Sequence, residues 1–404
     1  MFGVYIHFPY CQQRCPYCDF AVAVRQKIPH ERYLRATRAE LAAKAALFPD
    51  RRAVSVYFGG GTPSLWRPDC VAAALAEVLA AFPPAAGARP EVTLECDPHG
   101  VSDEQLAALR AAGINRLSIG AQSLQPRHLV SLGRQHQAGD VLDVVRRARA
   151  LGYDNLSLDL MIGLIDQRPD ELDDDLGRLV ALRPEHLSLY QLTVEPGTAL
   201  AARVRRAEVQ PPDEGAQADA YDRVRTLLAA AGYLHYEISS FARRDPDGGR
   251  DLRAVHNRLY WTSGEYLGLG VGAHSFRRLD GARGGERFGN DRGVESYLKL
   301  WAPPDAAPPA SFLPSESAPG LGLYEHHDPE ALAREALWLG LRALDGLSCA
   351  RFAAVHGYDP RQRHAEPLAR LAARGLLALD PDGDRLCLTA RGALFADEVG
   401  ASLL

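Results

Sequence analysis

Long apolar runs are absent from this sequence of 404 residues. No stretch approaches the ~18 uninterrupted apolar residues that a membrane-spanning helix requires. The first eight residues lack the basic and long apolar segments of a secretory signal, and an Arg-rich amphipathic transit peptide is also missing. We therefore expect a cytoplasmic protein of the bacterial type, or a chain that is given in its mature form.

An excess of either charge is also lacking, because 46 Lys and Arg stand against 51 Asp and Glu, a formal net charge of -5 at pH 7. Proteins that bind nucleic acid through their overall charge carry a basic surface, so we expect no nucleic-acid partner. Apolar residues form 47% of the chain, which is enough for a full core. At ~150 residues per domain, the length predicts two or three domains.

The seven cysteines are odd in number and unevenly placed. Cys11, Cys15 and Cys18 lie within eight residues of one another. The other four are scattered singly, at Cys70, Cys96, Cys349 and Cys387. In a cytosolic chain this distribution indicates a metal site instead of disulfides. We interpret the four scattered cysteines as small buried apolar side chains.

Short apolar runs alternate with Ala- and Leu-rich segments over the first ~240 residues. The runs predict six strands, at Gly3–His7, Val54–Phe58, Glu91–Glu95, Asn115–Ile119, Asn155–Leu160 and His186–Tyr190. The intervening segments predict helices, at Glu31–Leu47, Val71–Ala81, Asp103–Ala112, Asp140–Ala150 and Pro169–Leu182. This alternation favours an α/β fold with a parallel sheet and right-handed crossovers. We predict a partial (β/α)6 barrel of the TIM type, with an open doubly wound sheet as the alternative.

The alternation stops after a predicted helix at Asp213–Ala231. We divide the chain into a barrel (1–235), a mixed aromatic region (236–301), a Pro-rich linker (302–329) and a small, mainly helical C-terminal domain (330–404). The last of these contains a two-stranded element near 376–388 and resembles a winged-helix module. Its surface is not strongly basic, which argues against DNA binding.

Unusual residues follow the predicted strands where each strand ends. The cysteine cluster follows the first strand and Gly59–Gly61 the second. Glu95, Gln122 and Asp159 lie at the ends of the third, fourth and fifth strands. Because the active site of such a barrel lies at the carboxyl ends of its strands, the sequence predicts a functional site there.

The spacing Cys11-x3-Cys15-x2-Cys18 is the strongest chemical signal. Three thiolates on one loop can bind three irons of a cubane [4Fe-4S] cluster and leave the fourth iron open to a small chelating molecule. The ferredoxin pattern differs, since it repeats two-residue gaps and adds a fourth Cys. The alternative is a zinc site, which normally needs four ligands and for which His7 could be the fourth.

The segment YIHFPYCQQRCPYCDF, residues 5–20, resembles the signature of the radical S-adenosylmethionine (SAM) family. More narrowly, it is similar to the oxygen-independent coproporphyrinogen III dehydrogenases and the related heme chaperones. The resemblance extends to about Trp301 and returns over 335–346. It implies a cluster on Cys11, Cys15 and Cys18, whose open iron is chelated by the amino and carboxylate groups of SAM. Reduction of the cluster can then release a 5′-deoxyadenosyl radical.

The resemblance also implies residues that contact SAM. The glycine segment YFGGGTP, residues 57–63, is similar to the segment that meets the methionyl amino group, since glycine allows close backbone approach. The residues implied are Tyr5, Tyr17, Gly60, Gly61, Thr62, Glu95, Gln122, Arg134, Asp159 and Thr193. Arg134 suits a carboxylate, and Asp159 suits ribose hydroxyls. The alternative for each charged residue is an ordinary ion pair.

A second motif, HNRLYW at 256–261, resembles the HNxxYW heme-binding motif of the chaperone group. Imidazole can bind heme iron, and aromatic rings can cover a porphyrin face. We expect heme contact at or near His256, with Tyr260 and Trp261. A buried structural histidine is the alternative.

One departure separates the two relatives. The dehydrogenases carry another Cys two residues after the last cluster ligand, where this chain has Phe20, and they have a long arm before the cluster. We therefore expect a heme chaperone that delivers heme to an acceptor such as a respiratory enzyme. The alternatives are a coproporphyrinogen III dehydrogenase, and a regulatory module with a redox-sensing cluster and a nucleic-acid-binding tail.

Overall fold

A computed structural model describes residues 1–245, 247–279 and 284–403. Its main sheet has twelve strands, numbered here in chain order. They are β1 Phe2–Phe8, β2 Ala53–Gly60, β3 Glu91–Cys96, β4 Arg116–Gln122, β5 Leu156–Ile162, β6 His186–Gln191, β7 Tyr233–Glu237, β8 Ser240–Arg243, β9 Glu265–Leu269, β10 His274–Arg278, β11 Gly285–Asn290 and β12 Leu321–His327. The spatial order is β12-β11-β10-β9-β1-β2-β3-β4-β5-β6-β8-β7.

The first six strands are parallel, and each lies beside its predecessor. This sequential winding is that of a barrel, because a doubly wound sheet would reverse its strand order at β1. The predicted partial (β/α)6 barrel is therefore confirmed. Strand β9, which was not predicted, adds a seventh parallel strand on the other side of β1.

The helices of the barrel follow the predicted positions closely. They are α1 His30–Lys44, α2 Pro68–Ala81, α3 Asp103–Ala112, α4 Pro126–Ser131, α5 Ala138–Ala150, α6 Pro169–Ala181, α7 Ala199–Arg205 and α8 Glu214–Ala230. The short helices α4 and α7 escaped prediction because they span only six and seven residues. Among the described residues, no helix is long and apolar enough to cross a bilayer.

Two of the predicted domain divisions meet strands of the main sheet. The division at 235/236 cuts through β7, which pairs with β8 as an antiparallel hairpin on the sheet edge. Leu321–His327, predicted as part of a linker, is the edge strand β12 and pairs with β11 over its whole length. The sequence pattern does not reveal either strand, because antiparallel edge strands are half solvated and lack the continuous apolar run of a buried parallel strand.

The C-terminal domain is mainly helical, as predicted. Its helices are α11 Pro329–Leu341, α12 Cys349–His356, α13 Pro360–Arg363, α14 Ala365–Ala373, α15 Ala390–Leu394 and α16 Ala396–Ala401. The predicted two-stranded element is present as Leu377–Leu379 and Arg385–Leu388, and Leu347–Ser348 adds a third strand. The domain follows β12 directly, because Asp328 caps the first turn of α11.

A buried ion pair joins α1 to the β10–β11 side of the sheet. Lys44 and Glu40 have no exposed side-chain surface, and Lys44 Nζ lies 2.6 Å from Glu40 Oε1. Asn290 and Tyr297 complete their hydrogen bonds, and the amide of Gly270 donates to Glu40 Oε2 at 2.8 Å. A buried pair of this kind is tolerated because every partner is satisfied.

Helix α9, Val255–Trp261, closes the barrel at the amino ends of its strands. Glu91 at the start of β3 accepts hydrogen bonds from the amides of Val255 and His256. A carboxylate at this position also suits the positive end of a helix dipole. A second helix of the mixed region, α10 Val294–Trp301, packs against α1 instead.

Candidate functional site

A cavity of about 600 Å³ opens at the carboxyl ends of β1 to β6, and residues from all six strand ends line it. We call it the strand-end cavity. Twelve of the residues singled out in the sequence line it: Cys11, Cys15, Tyr17, Cys18, Gly60, Gly61, Thr62, Glu95, Gln122, Arg134, Asp159 and Thr193. The structure thus brings together residues that are up to 182 positions apart, from Cys11 to Thr193.

The cysteine loop forms one wall of this cavity. The amide of Cys18 donates to the carbonyl of Cys15 at 3.1 Å, which closes a turn between the two thiols. Burial raises the pKa of Cys11 to about 11. A metal or cluster must therefore displace protons from these thiols when it binds.

The sulfur atoms of the cysteine loop are spaced more widely than a zinc ion would hold them. In the described part of the chain, the sulfurs of Cys11, Cys15 and Cys18 do not all lie within 4.8 Å of one another. Tetrahedral zinc, with Zn–S bonds of about 2.3 Å, would hold them about 3.8 Å apart. Both ring nitrogens of His7 are also engaged, by the hydroxyl of Tyr5 at 3.0 Å and the carbonyl of Ala21 at 2.9 Å. The donor set fits a cluster in which each thiolate binds a different iron.

The glycine segment closes tightly on the cysteine loop. A Cβ added at Gly61 would lie 2.8 Å from the carbonyl oxygen of Tyr10 and 3.0 Å from Cys11 Sγ. The amides of Gly61 and Thr62 donate to the carbonyls of Phe8 and Tyr10, at 2.7 and 3.0 Å. Glycine is therefore required here by contact between protein segments, in addition to any contact with a ligand.

Glu95, near the end of β3, lines the strand-end cavity. Its carboxylate accepts hydrogen bonds from the hydroxyl of Tyr57 and the amide of Gly60, both at 3.0 Å. Burial, together with the charge of Asp159, raises the pKa of Glu95 to about 7. Burial also raises the pKa of Asp159, which accepts hydrogen bonds from Ser118 at 3.1 Å. A cationic ligand would stabilise the ionised form of both groups.

Gln122 has a left-handed backbone conformation, with φ at +61°. The strand pairing is irregular between Gly120 and Gln122, so a bulge ends β4 at this position. Non-glycine residues in this region are uncommon and concentrate where the surrounding structure enforces them, often at functional sites. The bulge turns the Gln122 side chain into the cavity wall.

Arg134 crosses the cavity between the cysteine loop and β3. Its guanidinium lies 2.7 Å from Asp97 Oδ2 and 3.7 Å from Cys15 Sγ. Its Nε is buried and has no hydrogen-bond partner within the described residues. Buried donors are almost always satisfied, so this atom fits a group that a ligand supplies. Sequence reasoning missed Asp97, although its position two residues after Glu95 at a strand end was a usable signal.

Three other predicted SAM contacts differ in their position relative to the cavity: Tyr17, Thr193 and Tyr5. Tyr17 lines the cavity and packs with Leu132 and Met161. Thr193 is an exposed rim residue. Tyr5 lies behind the cavity wall, where its ring stacks on Tyr57 with centroids 6.0 Å apart.

The predicted heme residues lie at the other end of the barrel. His256 is 2% exposed, and its two ring nitrogens are bonded to Ser55 Oγ at 2.9 Å and to the hydroxyl of Tyr260 at 3.0 Å. Burial lowers the pKa of His256 to about 3. Its imidazole therefore has no free nitrogen for heme iron in this conformation. Trp261, at the end of α9, reaches a different cavity.

Comparison with known proteins agrees with this geometry. Residues 5–179 match the radical SAM superfamily, and residues 327–395 match the HemN C-terminal domain. The chain is 38% identical to the heme chaperone HemW of Mycobacterium tuberculosis over 410 residues, covering all of this chain and 95% of that protein. The chain belongs to the HemW family.

A HemW relative from a second species matches over the full length as well. The Bacillus subtilis heme chaperone HemW is 31% identical over 404 residues, which cover all of this chain and 99% of that protein. The fold is that of the solved coproporphyrinogen III oxidase HemN of Escherichia coli. The TM-score is 0.79 over all of this chain and 89% of that one, at 24% identity.

The radical SAM domain of this HemW-family chain implies a [4Fe-4S] cluster and SAM, and the strand-end cavity fits both. Cys11, Cys15 and Cys18 would hold three irons, and a reduced cluster supplies the electron that can cleave SAM. Arg134 offers its unpaired Nε to a carboxylate. Glu95 offers a buried carboxylate that is stabilised when a cation lies beside it.

Proposed function

We propose that this chain is a cytoplasmic heme chaperone, which binds heme and transfers it to an acceptor protein such as a respiratory enzyme. The observation that carries the proposal is the match to heme chaperone HemW over the full length of both chains. A match limited to the barrel would indicate only a shared fold, whereas this one includes the C-terminal domain.

Phe20 supports the same function over the alternative dehydrogenase. It stands where the dehydrogenases carry an additional Cys. It lines the strand-end cavity and is 61% exposed. A phenyl ring offers neither a thiol nor a proton at this position. The chain therefore lacks one group that the decarboxylating relatives supply beside their cluster.

We also propose which residues bind the cluster and SAM. Cys11, Cys15 and Cys18 bind the cluster. SAM occupies the strand-end cavity, in contact with the glycine segment and the polar residues around it. Those residues are Gly60, Gly61, Thr62, Glu95, Gln122, Arg134 and Asp159. Tyr17 and Thr193 complete the wall beside the cluster and adenosine.

The test compares two activities on one anaerobically reconstituted sample. In one arm, heme-loaded protein is mixed with membranes from heme-starved bacteria, and heme-dependent oxidase activity is measured against an equal amount of free hemin. In the other, coproporphyrinogen III, SAM and a reductant are added, and release of CO2 is followed.

We expect the loaded protein to restore oxidase activity faster than free hemin, and no catalytic release of CO2. Multiple-turnover release of CO2 would contradict the proposal in favour of the dehydrogenase. Failure to bind hemin at all would also contradict it.

A further inference from the structure

A second cavity of about 520 Å³ lies between the amino end of the barrel and the C-terminal domain. Trp261 of α9 and Glu265 at the start of β9 contribute to the barrel side, and Phe352 and His356 of α12 contribute to the opposite side. Its volume lies within the range of ~300–1,000 Å³ that is typical of small-molecule sites. Since none of the strand-end residues lines it, it is a separate site.

Basic side chains dominate the lining, and we call this space the arginine cavity. Five arginines line it, against the two carboxylates of Glu265 and Asp345. Both carboxylates already have basic partners: Arg51 Nε lies 2.6 Å from Glu265, and Arg253 lies 3.6 Å from Asp345. The cavity is therefore suited to an anionic ligand.

Two of the five arginines have no carboxylate partner within the described residues. Arg258 pairs with Asp251, as Arg253 does, and Arg385 donates to backbone carbonyls. Within the described residues, Arg278 and Arg351 form no ion pair, and the only side-chain hydrogen bond of the two is from Arg278 to the carbonyl of Ser263 at 3.4 Å. Burial lowers the pKa of Arg278, which is the sign of an incompletely compensated charge. Two guanidinium groups without a carboxylate partner can bind the two carboxylates of a ligand.

Apolar side chains complete the walls. The ring of Phe352 is buried, Val355 is 57% exposed, and Trp261 is covered on one face by Arg342 at 4.9 Å. A ligand for this space should thus combine an extended apolar surface with more than one negative charge.

His356, the last residue of α12, is a candidate metal ligand in the same cavity. Its ring lies against Phe352, with centroids 4.6 Å apart, and within the described residues its nitrogens have no hydrogen-bond partner. Burial, with the charge of Arg278, lowers the pKa of His356 to about 4, so the imidazole is neutral at pH 7. A neutral imidazole with an available nitrogen is the form that binds metal ions.

The HNRLYW motif has two faces, and only one of them meets this cavity. His256 and Tyr260 point into the barrel, where they bond to each other. Arg258 and Trp261 point outward and line the arginine cavity. The outer face of the motif is therefore the one that faces the cavity, and its inner face closes the barrel.

We propose that the arginine cavity is the heme site, with His356 as an axial ligand of the iron and Arg278 and Arg351 as the partners of the two propionates. This inference rests on the proposed function, because it takes heme as the cargo. Heme matches the lining in each respect: a flat apolar macrocycle, two carboxylates and an iron with open axial positions.

The test uses the reconstituted full-length protein and hemin as the probe. Binding is titrated by the Soret absorption for wild type, His356→Ala, and the double variant Arg278→Ala/Arg351→Ala. His364→Ala, in the same domain but outside the cavity, is the matched control. Hemin dimethyl ester, which lacks the two charges, is titrated in parallel.

We expect His356→Ala to shift the Soret band and to weaken hemin binding at least tenfold, with His364→Ala unchanged. The arginine double variant should lose about tenfold or more in affinity for hemin, as expected for charged hydrogen-bond partners, but little for the dimethyl ester. His356→Met should bind hemin with a different spectrum, because a thioether replaces the imidazole.

The two proposals fail in different ways. If wild-type protein does not bind hemin, the proposed function is wrong. If wild type binds hemin, and His356→Ala and the arginine double variant both bind it with unchanged spectrum and affinity, the arginine cavity is not the site. If only His256→Ala then lost hemin binding while remaining folded, His256 on the inner face of α9 would be the iron ligand instead.

Discussion

Replacing Glu95 by Gln should change how the stability of the cluster-free protein depends on pH. In the wild type, Tyr57 and Gly60 each donate to one carboxylate oxygen of Glu95. A glutamine can accept from the Gly60 amide and donate to the Tyr57 hydroxyl oxygen, but it cannot ionise. In the wild type, the pKa of Glu95 is raised to about 7 from 4.5. The folded state therefore holds a proton between these values that the unfolded state has released.

The sign and size of the change in stability with pH follow from this difference in pKa between the folded and unfolded states. Below about pH 4.5 the carboxyl is protonated in both states, and its burial costs nothing extra. As the pH rises from 4.5 to 7, the unfolded state ionises first and the wild type loses stability. At about 1.4 kcal/mol per pKa unit, the full loss is about 3 kcal/mol above pH 7.

The assay is urea unfolding of both proteins between pH 4 and 8.5, without cluster or SAM. We expect the free energy of unfolding of Glu95→Gln minus that of wild type to increase by about 3 kcal/mol across this range. Glu316→Gln, a surface change in the segment before β12, is the control and should give a flat difference. A difference for Glu95→Gln that is flat, or that falls with pH, would refute the argument.

Three further predictions concern the cluster, SAM and the buried ion pair. Cys11→Ala should abolish the visible absorption of the reconstituted cluster and lower its iron content, whereas Cys70→Ala should leave both unchanged; stoichiometric zinc in anaerobically purified wild type would contradict this. Arg134→Ala should weaken the effect of SAM on the EPR spectrum of the reduced cluster, with a loss of about 1.5–3 kcal/mol in SAM binding; an unchanged SAM titration would exclude Arg134 as a contact. Lys44→Met should destabilise the protein by about 3–5 kcal/mol in thermal or urea unfolding. Adding Glu40→Gln should recover part of that loss, because the unpaired buried charge of Glu40 is then removed. Additive losses in the double variant would contradict the pairing.

The barrel could be predicted from sequence because each of its strands is a short apolar run followed by a helix of ordinary length. The carboxyl ends of parallel strands meet, so Glu95 and Asp159 could be placed together although 63 residues separate them. Arg134 could be predicted as a site residue only from the family resemblance. It lies on a loop after α4, where no periodic pattern indicates which way a side chain points.

The environment of His256 could not be predicted, because its partner Ser55 is 201 positions away. Sequence pattern alone also cannot distinguish the two faces of a seven-residue helix such as α9, in which apolar and polar residues are mixed. The edge strand β12 was missed for a similar reason. Its pairing depends on β11, and its sequence LGLYEHH has the polar content of a loop.

The sheet edge has a consequence for how the protein can be divided. Residues 302–320 lead into β12, which pairs with β11 and passes without a spacer into the first helix of the C-terminal domain. The amide of Leu344 also donates to the carbonyl of Tyr236 on β7 at 2.9 Å, so the opposite edge is fastened to the same domain. Truncation after Trp301 would remove β12 from one edge of the sheet. It would also remove the hydrogen bond from Leu344 to β7 at the other edge. The two halves should therefore melt as a single cooperative unit, and a shortened chain cannot serve as an isolated barrel for biochemical work.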